Sequence, residues 1–208
     1  MNRILLAPAT LLVAGAIATT GQLASGAAAQ ELTSSAVNAA NRYLELLEPG
    51  QSAKTAFEFE SPSKPKWHNG PPTMNVGPGT TFGELSPAQL KAAYELIQAV
   101  LSPYGYQKVL NIMAADEEFG RDGANFPTGP KAYSVAVYGT PSRTQPWEVQ
   151  VNGHHLGLNV TIVGRENILS PSLTGAFPST FEKEGKTVRV MSDETDAAFS
   201  LMEMLDSA

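Results

Sequence analysis

Cysteine is absent from this chain, which removes disulfide bridges, thiolate metal centres and cysteine nucleophiles in one step. An oxidising compartment stays open, because many exported proteins of this size hold together by core alone. Basic residues are outnumbered, 14 Lys and Arg against 20 Asp and Glu for a formal net charge of −6. With no Lys/Arg cluster, such a chain is a poor match for nucleic acid or an anionic membrane. Past the N-terminal segment there is no P-loop, G-x-G-x-x-G, H-E-x-x-H or G-x-S-x-G, nor any internal repeat. Nucleotide-binding folds, zincin peptidases and α/β-hydrolases therefore drop out as first readings.

The N-terminus belongs to export rather than to the fold. Met1-Asn2-Arg3 carries the only charge ahead of an apolar run from Ile4 to about Ala18, and Ala27-Ala28-Ala29 ends in an A-x-A cleavage pattern. Residues 1–29 read as a secretory signal, and without a twin arginine the general secretory route is expected. The mature chain then begins at Gln30, becomes slightly more acidic by losing Arg3, and reads as one globular domain over 30–208. It is expected in the periplasm or outside the cell, with no membrane insertion after cleavage.

Helical and strand signals alternate along the mature chain. Val37, Ala40, Leu44 and Leu47 recur at spacings of three and four, predicting a helix from Ser35 to Glu48 that Pro49-Gly50 stops. Ala56 to Glu60 alternates as a short strand. Ser61 to Pro72 and on to Gly79 is too rich in proline and glycine for regular structure, yet its Trp67 argues for packing rather than disorder. Ser86-Pro87-Ala88-Gln89 is a helix start with a capping box. The helix it opens runs to Ser102-Pro103, Tyr104-Gly105-Tyr106 turns the chain, and a second helix runs from Gln107 to Glu118, giving an αα-hairpin. Asp116-Glu117-Glu118 at its end reads as a solvated terminus, since consecutive helical residues point apart and cannot easily share one ion. Ala132 to Gly139 reads as a central strand, Pro171 to Pro178 as a loop, Thr187 to Met191 as a last strand and Asp193 to Ala208 as a terminal helix. Helices grouped apart from antiparallel strands predict an α+β fold, with the αα-hairpin and terminal helices packed on the sheet.

Two of the three histidines fall in one stretch, Trp147 to Ile162. Asn152-Gly153 tolerates the positive φ of a type I′ turn, and both flanks alternate apolar with polar residues, so the stretch predicts a β-hairpin turning at Asn152-Gly153. In that register Gln150 faces His155 and Glu148 faces Gly157. Trp147, Val149, Val151, His154, Leu156 and Leu158 would share a core face. Glu148, Gln150, His155, Asn159 and Thr161 would share an open polar face, with Gly157 leaving space for a ligand.

Leu101-Ser102-Pro103-Tyr104-Gly105-Tyr106, Tyr138-Gly139-Thr140-Pro141-Ser142, Trp147 through Leu156 with its Gly-His-His-Leu run, and the Thr174-Gly175-Ala176-Phe177-Pro178 loop together resemble domain-of-unknown-function family 3500. The likeness spans roughly Trp67 to Leu205. It implies a real site around the tryptophan, glutamine and paired histidines, and supplies no reaction. Family members continue beyond the final helix, so the resemblance implies a short member or an incomplete chain.

Three chemistries fit these residues. His154 and His155, joined by His68 or Glu148, could ligate zinc or copper if a bulge realigned the pair. His155 could act as general base or acid on a small ester, amide or lactone, with Gln150 orienting it and Glu148 fixing its tautomer. No nucleophile is evident, since Ser142 in its Pro-Ser turn reads as structural. Trp67, Trp147 or Tyr138 could instead wall a pocket in which His155, Gln150 and Asn159 bind a small molecule. His154 is expected to cap the core, and His155 to carry the function.

Overall fold

The computed structural model describes residues 31–72, 77–121 and 123–206. The expected export segment, residues 1–29, lies outside them. The fold is α+β, a six-stranded sheet with a separate two-stranded ribbon and helices. Helix α1, through residues 31–46, buries Ala36, Val37, Ala40 and Tyr43 at the three-and-four spacing that a helix presents to a core. Pro49-Gly50 opens a second helix rather than ending helical structure. In α2 (Pro49–Thr55) the proline takes the first helical position, where its missing N–H has no partner to lose.

The first helix of the expected αα-hairpin starts where the capping signals predict. In α3 (Pro87–Val100), Ser86 accepts from the Gln89 amide and the Gln89 side chain accepts from the Ser86 amide. Helix α4 (Pro103–Arg121) starts earlier than expected and absorbs Tyr104-Gly105-Tyr106, with Ser102 Oγ accepting from the Gly105 amide at its first turn.

The sheet runs in the order β1 (Ala56–Phe57), β3 (Ser134–Tyr138), β4 (Trp147–Gly153), β5 (Leu156–Val163), β6 (Glu166–Thr174), with β2 (Thr80–Thr81) also paired to β3. Since β1 is parallel to β3, the sheet is mixed rather than antiparallel throughout. Strand β6 occupies much of what reads as a loop in the sequence. Pro171 is tolerated there because β6 is an edge strand. Strands β7 (Thr180–Lys183) and β8 (Lys186–Arg189) form the separate ribbon. The terminal helix α5 (Ser192–Asp206) does not pack on the sheet as expected: Leu201, Met202 and Leu205 are all exposed. No helix among the described residues is long and apolar enough to cross a membrane.

The β4–β5 hairpin exists, but its turn is not Asn152-Gly153. Gly153 pairs with Leu156, Asn152 with Gly157, Gln150 with Asn159 and Glu148 with Thr161, so His154 and His155 are the turn. Three tertiary hydrogen bonds hold it there: His155 N–H to Asn69 O, Gly175 N–H to His155 O, and Tyr133 O–H to His154 O. His155 takes the left-handed conformation, φ 62°. Gly153 stays in the strand because a Cβ there would meet Tyr133 Cδ1 at 2.0 Å. Its missing side chain serves close approach rather than turn geometry.

The corrected register moves the turn by two residues and each residue's partner by four, an even number, so the faces of the strands survive. Val149, Val151, Leu156, Leu158, Val160 and Ile162 face a core shared with α1, α3 and α4. The opposite face is covered. A strap formed by residues 61–70 lies over it: Lys64 approaches Glu148 at 3.4 Å, Lys64 O accepts from Gln150, and Trp67 packs on Gly157. The space left by Gly157 is filled by the indole, since a Cβ there would meet Trp67 Cε3 at 2.5 Å.

These two glycines give contrasting expectations. Gly153→Ala forces a methyl into the fully buried Tyr133 ring, and denaturant unfolding should show a loss of about 1–3 kcal/mol. Gly157→Ala pushes only a strap residue outward, so it should cost less and red-shift tryptophan emission. Trp147 is fully buried in the core, and emission unchanged in Gly157→Ala would contradict the Trp67 contact.

Candidate functional site

The turn meets helix α4 at a buried carboxylate. Asp116, 1 % exposed, lies 2.6 Å from His154 Nδ1 through Oδ1 and accepts the Gly129 amide at 2.8 Å through Oδ2. A carboxylate in this position fixes the imidazole with its proton on Nδ1, which leaves Nε2 for other partners. The His154 and His155 rings stack at 3.8 Å and 27°. Phe119 and Phe126 contact the His154 ring at 6.0 and 5.3 Å, and Phe177, which is exposed, meets Phe119 edge-on.

Burial first, and the neighbouring His154 second, lower the His155 pKa below its usual value, while Asp116 opposes them. The neutral imidazole is thereby favoured near neutral pH, the state a general base requires. Burial, with Asp116 adding to it, pushes the Tyr133 hydroxyl well above the ordinary tyrosine range. It remains a donor to His154 O.

The register correction reorganises the candidate set. His155 does not meet Gln150 or Glu148; among the described residues no hydrogen bond joins them. Gln150 is fully buried and donates to Lys64 O and Asn159 Oδ1. Glu148 accepts from Thr161 and faces Lys64. Trp147 is a core residue whose indole N–H donates to Ser142 O, and Ser142 Oγ accepts two backbone amides in its turn. Tyr138 stacks on Phe57, with its hydroxyl 3.3 Å from Ser63. Asn159 is buried and donates to Pro171 O. His68 accepts the Gly70 amide and lines a small cavity together with Asn152 and His154. Among the described residues no group of three or more His, Asp or Glu side chains is arranged to hold a metal ion.

Asp116, read from the sequence as part of a solvated helix terminus, is buried instead, and the signal for its burial was present. Val109, Ile112, Met113 and Asp116 share the buried stripe of α4, at helical spacing. Asp116 therefore points inward while Glu117 is exposed. A carboxylate in phase with a core stripe needs a buried partner.

The chain is thus an α+β protein whose candidate site is a carboxylate-held histidine turn at a hairpin tip. A protein-family model described as "Protein of unknown function (DUF3500)" matches residues 29–208, and the chain belongs to that family. No curated protein and no solved structure matches it.

Two measurements probe this centre. Asp116→Ala leaves the Gly129 amide and His154 without their acceptor and should cost about 3 kcal/mol in denaturant unfolding; a near-neutral change would remove the pair from the core account. The lowered His155 pKa means the unfolded chain takes up this proton before the folded protein does. Its contribution is constant above about pH 6.5 and is lost as pH falls from there through the folded value. His155→Asn, which tolerates φ > 0, removes that titration, so stability relative to the parent should rise between neutral pH and pH 5.

Proposed function

We propose that this is an exported hydrolase of a small ester, amide or lactone, with the Asp116–His154 pair and His155 as its acid–base centre. One observation carries the reading: a buried carboxylate 2.6 Å from His154 Nδ1, the arrangement that orients an imidazole for proton transfer. The lowered His155 pKa supplies a second imidazole in its neutral form beside it. Exposed Phe177 and the neighbouring Phe119 offer an apolar surface near the rings for the body of a small substrate. Export rests on the basic start, apolar run and Ala27-Ala28-Ala29 pattern of the N-terminus.

A second reading is supported by the cavity that His68 and His154 both line. An imidazole held by a carboxylate at one nitrogen is also how zinc ligands are oriented, and zinc or copper at His154 with His155 or His68 would use the same Asp116 contact.

A panel of small esters, amides and lactones tests the first reading. Turnover by the parent should fall about 100- to 10,000-fold in His154→Asn and strongly in Asp116→Asn. Turnover indifferent to Asp116, or none across the panel, would sink it. Stoichiometric metal in the purified protein, lost in His154→Asn, would favour the second reading instead. Expressed with its N-terminus intact in a bacterial host, the protein should be recovered outside the cytoplasm with an intact mass beginning at Gln30. A retained Met1-to-Ala29 segment would remove the export proposal.

A further inference from the structure

The polar face of the hairpin contains a directed chain of side-chain amides. Asn159 Nδ2 donates to Pro171 O at 2.7 Å, Gln150 Nε2 donates to Asn159 Oδ1 at 2.6 Å, and Asn152 Nδ2 donates to Gln150 Oε1 at 3.3 Å. Gln150 also donates to Lys64 O, and Asn152 to Pro78 O. Backbone carbonyls only accept, so these contacts fix which end of each amide is nitrogen and which is oxygen. The donors of Gln150 and Asn152 are fully used. The chain therefore runs in one sense and ends in one acceptor, Asn152 Oδ1.

That acceptor is buried and has no hydrogen-bond partner among the described residues, in a residue 2 % exposed. Asn152 lines a small cavity shared with His68, Ser134, Gly153 and His154. The free space there suits about one water molecule. Three nearby donors are committed elsewhere: Ser134 Oγ donates to Pro78 O, Tyr133 O–H donates to His154 O, and His154 Nδ1 faces Asp116. His68, which also lines the cavity, accepts the Gly70 amide at Nδ1 and so carries its proton on Nε2. Aligned amides polarise one another along such a chain, which strengthens the terminal oxygen as an acceptor. A buried acceptor at the end of a fixed chain calls for a donor, and among the described residues no hydrogen bond reaches it.

We propose that Asn152 Oδ1 and His154 hold a single water molecule in this cavity, and that this water is the nucleophile of the hydrolysis proposed above. The reaction step rests on that hydrolytic reading; the water site does not. The water donates one proton to Asn152 Oδ1, which orients it, and turns toward His154. In the step, a water O–H bond breaks and its proton passes to His154 Nε2 as the oxygen bonds to the substrate carbonyl carbon. The bond from that carbon to the leaving oxygen or nitrogen then breaks, and the imidazolium returns the proton to the leaving group. Water as nucleophile accounts for a histidine centre to which, among the described residues, no serine is hydrogen-bonded. Asn152 is a positioning residue here, acting on the reaction through the water it holds.

A high-resolution crystal structure of the unmutated mature protein decides the water site. The expected result is one ordered water within hydrogen-bond distance of Asn152 Oδ1 and a nitrogen of His154. An empty cavity, one filled by a side chain, or density with metal-ligand distances and anomalous signal overturns the proposal. Asn152→Ala tests the role: kcat should fall about 100-fold with little change in KM, while the structure of the variant retains the Asp116–His154 contact and lacks the water. Parent-like kcat in that variant overturns the nucleophilic role. Absence of turnover in the parent defeats the hydrolytic reading and this role together, while the density still judges the water site alone.

Discussion

The contact between Asp116 and His154 ties the helical layer to the tip of the hairpin, and the site depends on it. Asp116 reaches inward from α4 because it continues the buried stripe of Val109, Ile112 and Met113. Its second oxygen holds the Gly129 amide, so one side chain joins helix, loop and hairpin. A buried carboxylate must be satisfied by strong donors or it destabilises the fold. The donors available are one backbone amide and one imidazole, and the imidazole is thereby fixed in position and tautomer. Structural need and chemical pre-organisation are met by the same bond.

The polar face of the hairpin serves a different purpose from the open surface its alternation suggests. The strap formed by residues 61–70 covers it, Trp67 occupies the slot left by Gly157, and the amides of Asn159, Gln150 and Asn152 are bonded into a chain. Glycine makes both close approaches possible, Tyr133 against Gly153 and Trp67 against Gly157. Each removes a Cβ where an aromatic ring needs the room. The result is a rigid hairpin whose polar interior opens toward a cavity beside His154. Chemistry that needs an exact position gains most from such support.

Much of the fold is legible in the sequence. The capping box at Ser86 and Gln89 marks the start of α3, the apolar spacing around Val37 and Ala40 marks α1, and strict alternation from Trp147 to Ile162 assigns the two faces of β4 and β5. These are local signals with short-range causes, and they survive folding. The sequence misleads where one residue type answers two needs. Asn152-Gly153 has the chemistry of a turn, but the glycine is used for contact with Tyr133. Pro49-Gly50 has the chemistry of a stop, but the proline opens α2. Strand β6 is hidden by Pro171, which an edge strand accommodates.

The sequence by itself determined the α+β class, the presence of a hairpin carrying both histidines, the faces of its strands, and the absence of any cysteine chemistry. Tertiary structure alone decided that His154 and His155 form the turn and stack on each other, that Asp116 is their anchor, and that Gln150 and Glu148 lie under the strap rather than beside His155. The reason is range. Periodicity and capping are settled by neighbours a few residues apart, whereas the turn is selected by a hydrogen bond to Asn69 O and by others from Tyr133 and Gly175, and the anchor comes from a helix 38 positions earlier in the chain.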